Sequence, residues 1–271
     1  MKIKWKRVLF LAGTIVLIIM IVFVLQKYVA HNEMIFTPDY DVVQLTENTD
    51  YETFFRQTGL GESIVKRWLE KDRLEELQKV QEKFFLNPRT ECVPLLGWFT
   101  MEDRLTDVTY TLMDLQPGDI LVTVSTHSLG WRHGHAALVI DEDTTLECVT
   151  WGEDSMLCDT DNWKNYSNCA VLRIKDVTTQ QQQQVVEYAL ENLQGIPYHL
   201  SAGFIGEKAP EPKDRSFGLQ CAYLVWYAWY QMGYDLDSDG GRLVSSYDLL
   251  GSELLEVVQI YGMDPRKFLK E

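Results

Sequence analysis

The chain is short of positive charge. Its 271 residues hold 25 lysines and arginines against 40 acids, a formal net charge of −15. That excludes nucleic acid as the main partner, because gripping a phosphate backbone needs a basic face. HExxH and CxxC spacings are absent, so neither common metal signature is present, and no internal repeat is visible. The cysteines are few and odd in number: Cys92, Cys148, Cys158, Cys169 and Cys221. In an oxidising compartment at least one would stay a thiol or pair with another chain. Cys148, Cys158 and Cys169 lie close enough in sequence to include a bridge, but spacing alone selects no pair. What the chain does have is apolar mass, 46% hydrophobic with eight tryptophans, enough for a real core.

One further absence is local. Residues 1–30 contain no acid but five bases, Lys2, Lys4, Lys6, Arg7 and Lys27. Between them Val8 to Leu25 is an uncharged run of eighteen residues, close to the ~20 that cross a bilayer as a helix. Four bases precede it, so the N-terminus should stay in the cytoplasm and the chain from residue 31 onward should face outward. A cleaved signal peptide is the rival expectation. Against it, "QKYVAHNE" puts Tyr28 where a cleavage site wants a small residue. The expectation is a single-pass signal-anchor at the cell membrane, with residues 8–25 in the lipid.

Residues 31–110 read as a polar linker followed by a helical region. Over 51–86, Val65, Trp68, Leu69, Leu77, Val80 and Phe84 fall near helical spacing, and Asn87-Pro88 ends the pattern. The character changes near residue 111. "LQPGDILVTVS" is a turn running into a strand over Ile120–Ser125. "GHAALVID" and "TLECVTW" form a hairpin around a polar turn, and "CAVLRIK" (169–175) is a fourth strand. A helix follows, capped by Thr178 or Thr179, with Val186, Ala189, Leu190 and Leu193 as its apolar stripe. An irregular connection of about 25 residues then leads to a buried helix, Cys221 to Gly233. A loop that long inside a domain is usually functional.

The chemistry collects at three of these elements. Cys221 heads an apolar helix, where the positive end of the helix dipole and free backbone N–H groups favour a thiolate. A buried structural thiol is the alternative. A thiolate nucleophile wants an imidazole, and the imidazole wants an orienting group. The stretch "GWRHGHAALVID" holds no serine or cysteine of its own, yet His135 opens an apolar strand. Glu147 lies twelve residues on, in the next strand of the hairpin, roughly across from it. A carboxylate inside "TLECV" is costly without a partner, which makes a His135–Glu147 pair sensible. A water-facing glutamate is the alternative.

In chain order the histidine precedes the cysteine. That order, with "PGDI", a Gly-His opening an apolar strand, "GIPY", a Cys-X-X-Leu-Val-Trp helix, a "G-x-D-L-D" tail and "SYDLLGS", resembles the permuted papain-like amidases, a branch of the NlpC-type cysteine peptidases. The resemblance covers about residues 111–255. It implies an α+β, circularly permuted papain-like (NlpC-type) domain over 111–271. It also implies a cysteine hydrolase of amide bonds, working through a thioester without a cofactor. Cys221 would be the nucleophile, His135 the general base and acid, and Glu147 the orienting residue. Tyr198 and Gln220 would lie in the substrate and oxyanion vicinity. With the outward topology, a peptidoglycan peptide is the expected substrate class. Two departures stand out: Ala222 follows the cysteine where the family often has serine, and the His199–Gln220 loop is long. A lipid acyltransferase or thioesterase resembling lecithin–retinol acyltransferase, or a catalytically silent extracytoplasmic binding domain, are the alternatives.

Other constellations weigh less. His133 and His135 stand at i,i+2 with His127 and Cys148 available, a pattern zinc could use, but the expectation is no metal. "DLDSDGG" (235–241) mimics half a calcium loop, yet Ser246 stands where the twelfth-position glutamate belongs. Asn165-Tyr-Ser167 is a glycosylation sequon.

Overall fold

The computed structural model describes residues 5–32, 35–96, 99–204, 207–210 and 218–269. The first element, α1 (Trp5–Asn32), is a helix of 28 residues, about 42 Å long at 1.5 Å per residue. Its Arg7–Val24 window is long and apolar enough to cross a membrane, and none of it is buried against the rest of the chain. That is the behaviour of a span or of a signal sequence, not of a core helix.

The 51–86 pattern forms three short helices: α2 (Tyr51–Thr58), α3 (Glu62–Leu69) and α4 (Leu74–Phe84). The first break is chemical. Gly59 closes α2 with φ of 69°, donating its N–H to Phe55 O, a left-handed cap that glycine adopts without strain. A Cβ at Gly61 would overlap the Val257 carbonyl. Leu60 meanwhile makes an isolated β-bridge with Gln259. The chain is pinned to a strand here and cannot continue as a helix.

Two sheets follow. One has six antiparallel strands in the order β7-β6-β5-β3-β8-β9. They span β3 (Ile120–Thr123), β5 (His135–Val139), β6 (Thr144–Glu147), β7 (Met156–Asp159), β8 (Cys169–Ile174) and β9 (Leu255–Tyr261). The other has three strands, β1 (Thr90–Leu96), β2 (Thr100–Leu105) and β4 (Thr126–Ser128), in the order β1-β2-β4. Helices α5 (Thr179–Asn192), α6 (Cys221–Gln231) and α7 (Ser246–Gly251) complete the fold, which is a mixed α+β arrangement.

Strand alternation sends side chains to two cores. Ala136, Leu138, Leu146 and Leu172 join the core that contains α5 and α6. Ala137, Val139, Leu121 and Val171 join the core that contains Phe54, Ile64, Trp68 and Leu77 from α2–α4. The six-stranded sheet is thus covered on both faces, and this is why β3, β5 and β8 read as continuous apolar runs rather than alternating ones. The helices of the 31–110 segment are one of those covers. They are built into the core, across the expected boundary at residue 111.

Most of the expected strands are present, shortened. The third, "TLECVTW", ends at Glu147. Thr178 is the α5 cap, in a full capping box with Gln181. The buried face of α5 centres on Val185 and Ala189 rather than Val186 and Leu190, which are only partly buried. None of the five cysteines forms a disulfide.

Candidate active site

His135 and Glu147 meet because of register. β5 and β6 pair Ala137 with Glu147 and Val139 with Thr145, so His135 is a diagonal neighbour of Glu147 on the same sheet face, within reach of long side chains. His135 Nε2 lies 2.7 Å from Glu147 Oε2. Both residues are about 95% buried, with 4% and 5% of their surface exposed, so the water-facing alternative for Glu147 is excluded. The β5 start is fixed by Gly134, whose φ is 72°. A Cβ there would overlap the Thr123 carbonyl, so glycine is needed to set the ring beside its partners.

Two residues that sequence reasoning did not single out complete the carboxylate's surroundings. Thr145 Oγ1 donates to Glu147 Oε1 at 2.6 Å, and Trp163 Nε1 donates to the same oxygen at 2.8 Å. Trp163 also stacks on the imidazole, with centroids 5.4 Å apart and planes 16° from parallel. It sits in a 3-10 turn, Thr160–Asn165. Thr145 stands two residues before Glu147 on one strand, a signal the alternation carries. The only hint of Trp163 was a large aromatic alone in the polar run "DTDNWKN".

Cys221 is the first residue of α6, and the His135 ring lies near enough to act on the ionisation of its sulfur. Burial alone would raise the Cys221 thiol. The His135 hydrogen bond and charge, with the Ala136 and Ala222 backbone N–H groups, reverse that and bring it below the usual thiol range. Burial likewise opposes a charged His135, but bonds and charge from Cys221 and Glu147 push it up to about 10. Burial opposes a charged Glu147 too, and His135, Thr145 and Trp163 together hold it below the usual carboxylate range. The arrangement favours thiolate, imidazolium and carboxylate in a row. By contrast, burial raises the thiols of Cys148, Cys158 and Cys169.

Gln220 caps α6: its Oε1 accepts the Ala222 N–H at 3.1 Å, while its Nε2 donates to Val244 O at 2.5 Å. The same Oε1 lies 3.5 Å from Cys221 Sγ. Those partners fix the amide orientation, because flipping it would set donor against donor and acceptor against acceptor. Its oxygen therefore faces the thiol, and its amide N–H group is occupied elsewhere. Tyr198 bridges Leu219, two residues before Cys221, and its hydroxyl is raised by burial and then by the charges of Cys221 and Cys148. Much of the His199–Gln220 loop, residues 205–206 and 211–217, lies outside the described residues.

The histidine pair separates. His133 Nε2 bonds Ser128 Oγ at 3.0 Å and its Nδ1 contacts Gly134 O at 2.8 Å. His133 precedes β5, with the left-handed Gly134 between it and His135, so the same-face zinc pattern does not form. In the calcium-like stretch, Asp235 accepts the Trp226 indole N–H at 2.7 Å and Asp237 pairs with Lys208.

No family model and no curated protein matches the chain. Among solved structures, the metalloprotein yiiX from Escherichia coli O157:H7 is similar at 16% identity, over 53% of this chain and 96% of that one, with a TM-score of 0.42. At that score the likeness carries no argument about fold or activity.

Proposed function

We propose that the protein is a membrane-anchored cysteine hydrolase that cleaves amide bonds through Cys221, His135 and Glu147. The observation that carries this is the buried His135–Glu147 hydrogen bond beside the head of α6, with Cys221 drawn below the usual thiol range by His135 while Cys148, Cys158 and Cys169 are raised. A buried thiol without chemistry would need none of this, and burial would leave it raised, as with Cys148.

In this mechanism the Cys221 thiolate attacks the amide carbonyl. The carbonyl π pair moves onto oxygen, where the Cys221 backbone N–H and the α6 N-terminus stabilise it. The imidazolium of His135 gives its proton to the leaving amine as the C–N bond breaks and a thioester remains. Neutral His135 then takes a proton from water, whose oxygen attacks the thioester. Collapse expels the Cys221 thiolate and restores the ion pair. Glu147 holds the ring and stabilises its charge, with Thr145 and Trp163 holding Glu147. Gln220 acts as a positioning residue.

Two further parts belong to this proposal. The domain is a circularly permuted papain-like, NlpC-type fold, supported by the order of histidine strand, glutamate strand and cysteine-headed helix. The Arg7–Val24 helix is an uncleaved anchor whose basic flank stays in the cytoplasm, so the hydrolase faces outward. A cell-wall peptide is then the substrate class.

The test is to incubate the full chain, and Cys221→Ser, with peptidoglycan fragments and separately with phospholipid vesicles, reading products by mass spectrometry. New amine termini from the peptide fragments with the wild type only are expected. Acyl-chain release or transfer from the lipids instead would move the assignment to lipid acyl transfer. No product from either, or equal product from the variant, would sink the hydrolase.

A further inference from the structure

A second cluster of reactive side chains lies in the three-stranded sheet. β1 and β2 pair Cys92 directly with Asp103, and β2 and β4 pair Met101 with His127. Asp103 and Met101 share a face, so Cys92, Asp103 and His127 all project to one side. One ligand atom from each lies within 4.8 Å of the others. Cys92 Sγ is 3.7 Å from His127 Nε2, and the same Nε2 is 3.5 Å from Asp103 Oδ1. The Asp103 and His127 side chains are fully buried, and Cys92 is part-exposed.

Two explanations without a ligand fit poorly. As a second catalytic relay, the imidazole would hold the thiol on one nitrogen and the carboxylate on the other. Here both converge on Nε2, and the buried Nδ1 makes no hydrogen bond. As a plain buried ion pair, Asp103 has Arg132 Nη1 2.8 Å from its Oδ2. That distance satisfies a charge pair, yet neither Asp103 oxygen has a hydrogen bond of acceptable geometry. A fully buried carboxylate in that state is costly.

Convergence on one point is what a metal ion requires. For tetrahedral zinc with the usual Zn–S, Zn–N and Zn–O bonds, the ligand-to-ligand edges are about 3.6 Å for S–N and about 3.4 Å for N–O. The observed 3.7 and 3.5 Å lie within ~0.1 Å of these. They are too long for a strong hydrogen bond and right for a shared cation. We propose that Cys92, Asp103 and His127 form a binding site for a divalent transition metal of the zinc class. A thiolate, an imidazole and a carboxylate select such an ion over magnesium or calcium, which take oxygen ligands. On binding, the Cys92 thiol loses its proton to solvent and its sulfur pair goes to the metal. Arg132 Nη1, 2.8 Å from Asp103 Oδ2, balances charge on the oxygen that does not face the site. Three protein ligands leave the fourth position open, reached from the part-exposed Cys92 side. The ion would tie β1, β2 and β4 together, independently of Cys221.

The test uses the full chain in detergent, stripped with a chelator and titrated with Co(II) and Zn(II). Wild type should take up one equivalent, and the cobalt form should show a thiolate charge-transfer absorption. Cys92→Ser should abolish that absorption and weaken zinc binding on the order of 100-fold or more, since loss of an outer contact alone costs 10–100-fold. Cys221→Ser should bind like wild type. Cys92→Ser changes a part-exposed position, so it tests the site even where His127→Ala fails to fold. A folded wild type that binds no metal, binding that survives Cys92→Ser, or binding lost in Cys221→Ser would each overturn the site.

Discussion

At the scale of single residues, the site is a contest between burial and pairing. Burial is the largest influence on Cys221, His135 and Glu147 and opposes each charge, yet pairing wins at all three. The sign of the stability effect follows. Glu147 is lowered from 4.5, so its contribution is present above pH 4.5 and is lost as pH falls through the lowered value. His135 is raised from 6.5 to about 10, so its contribution is full below 6.5, shrinks above it, and is gone past about 10. Denaturation of wild type and Glu147→Gln across pH should therefore show the widest gap between 4.5 and 6.5, closing toward either side. A gap that is constant with pH would remove the charged pair from the account. Trp163→Phe keeps the ring on His135 but removes a donor to a buried carboxylate, which should cost about 1–3 kcal/mol in chemical denaturation. It should also raise the Glu147 pKa. An unchanged stability would mean that the indole bond is dispensable.

At the scale of elements, legibility tracks locality. The His135 strand and the Cys221 helix were visible because the apolar run of each begins at a special residue. The Thr178 cap was visible because a capping box is a four-residue pattern. The β1-β2-β4 sheet was not. Its strands carry Glu91, Glu102, Asp103 and Arg104 among few apolar residues, so no alternation marks them, and pairing with β4 is long-range. The same holds for β9, whose partner β8 lies about 80 residues earlier. The helix breaks at Gly59 and Gly61 depend on β9, so a periodicity count ran through them. Within the site, Glu147 was legible as a costly carboxylate in a strand, whereas Trp163 reaches it from outside the strands. Gly134 is an element-scale prediction. With φ of 72° and no room for a Cβ, Gly134→Ala should destabilise the fold by about 1–3 kcal/mol and slow Cys221 alkylation by displacing His135. A variant with wild-type stability and reactivity would show that the β5 entry does not set the ring.

At the scale of the whole molecule, two helical covers sandwich one sheet, and a separate helix presents a long apolar stretch between basic flanks. None of that stretch is buried against the rest of the chain, and a membrane is an environment that removes the cost of exposing it. The full chain should stay with membranes through alkaline carbonate extraction and retain its first residue by intact-mass measurement. Recovery in the supernatant, or a mass lacking the segment, would replace the anchor with a cleaved leader. The helices α2–α4 share a core with the sheet, so the sheet and the N-terminal helices should unfold in one transition.

The central claim is that His135 makes Cys221 a thiolate, and alkylation kinetics test it most directly. The full chain and His135→Ala, each confirmed folded by circular dichroism, would be treated with iodoacetamide across a pH series, with the labelled site read by peptide mass spectrometry. The account predicts selective Cys221 labelling in wild type, still fast well below the ordinary thiol value of 9. In His135→Ala the rate should collapse at neutral pH and recover only in alkali, because burial remains and its opponent is gone. Equal rates in the two proteins at neutral pH would contradict the account.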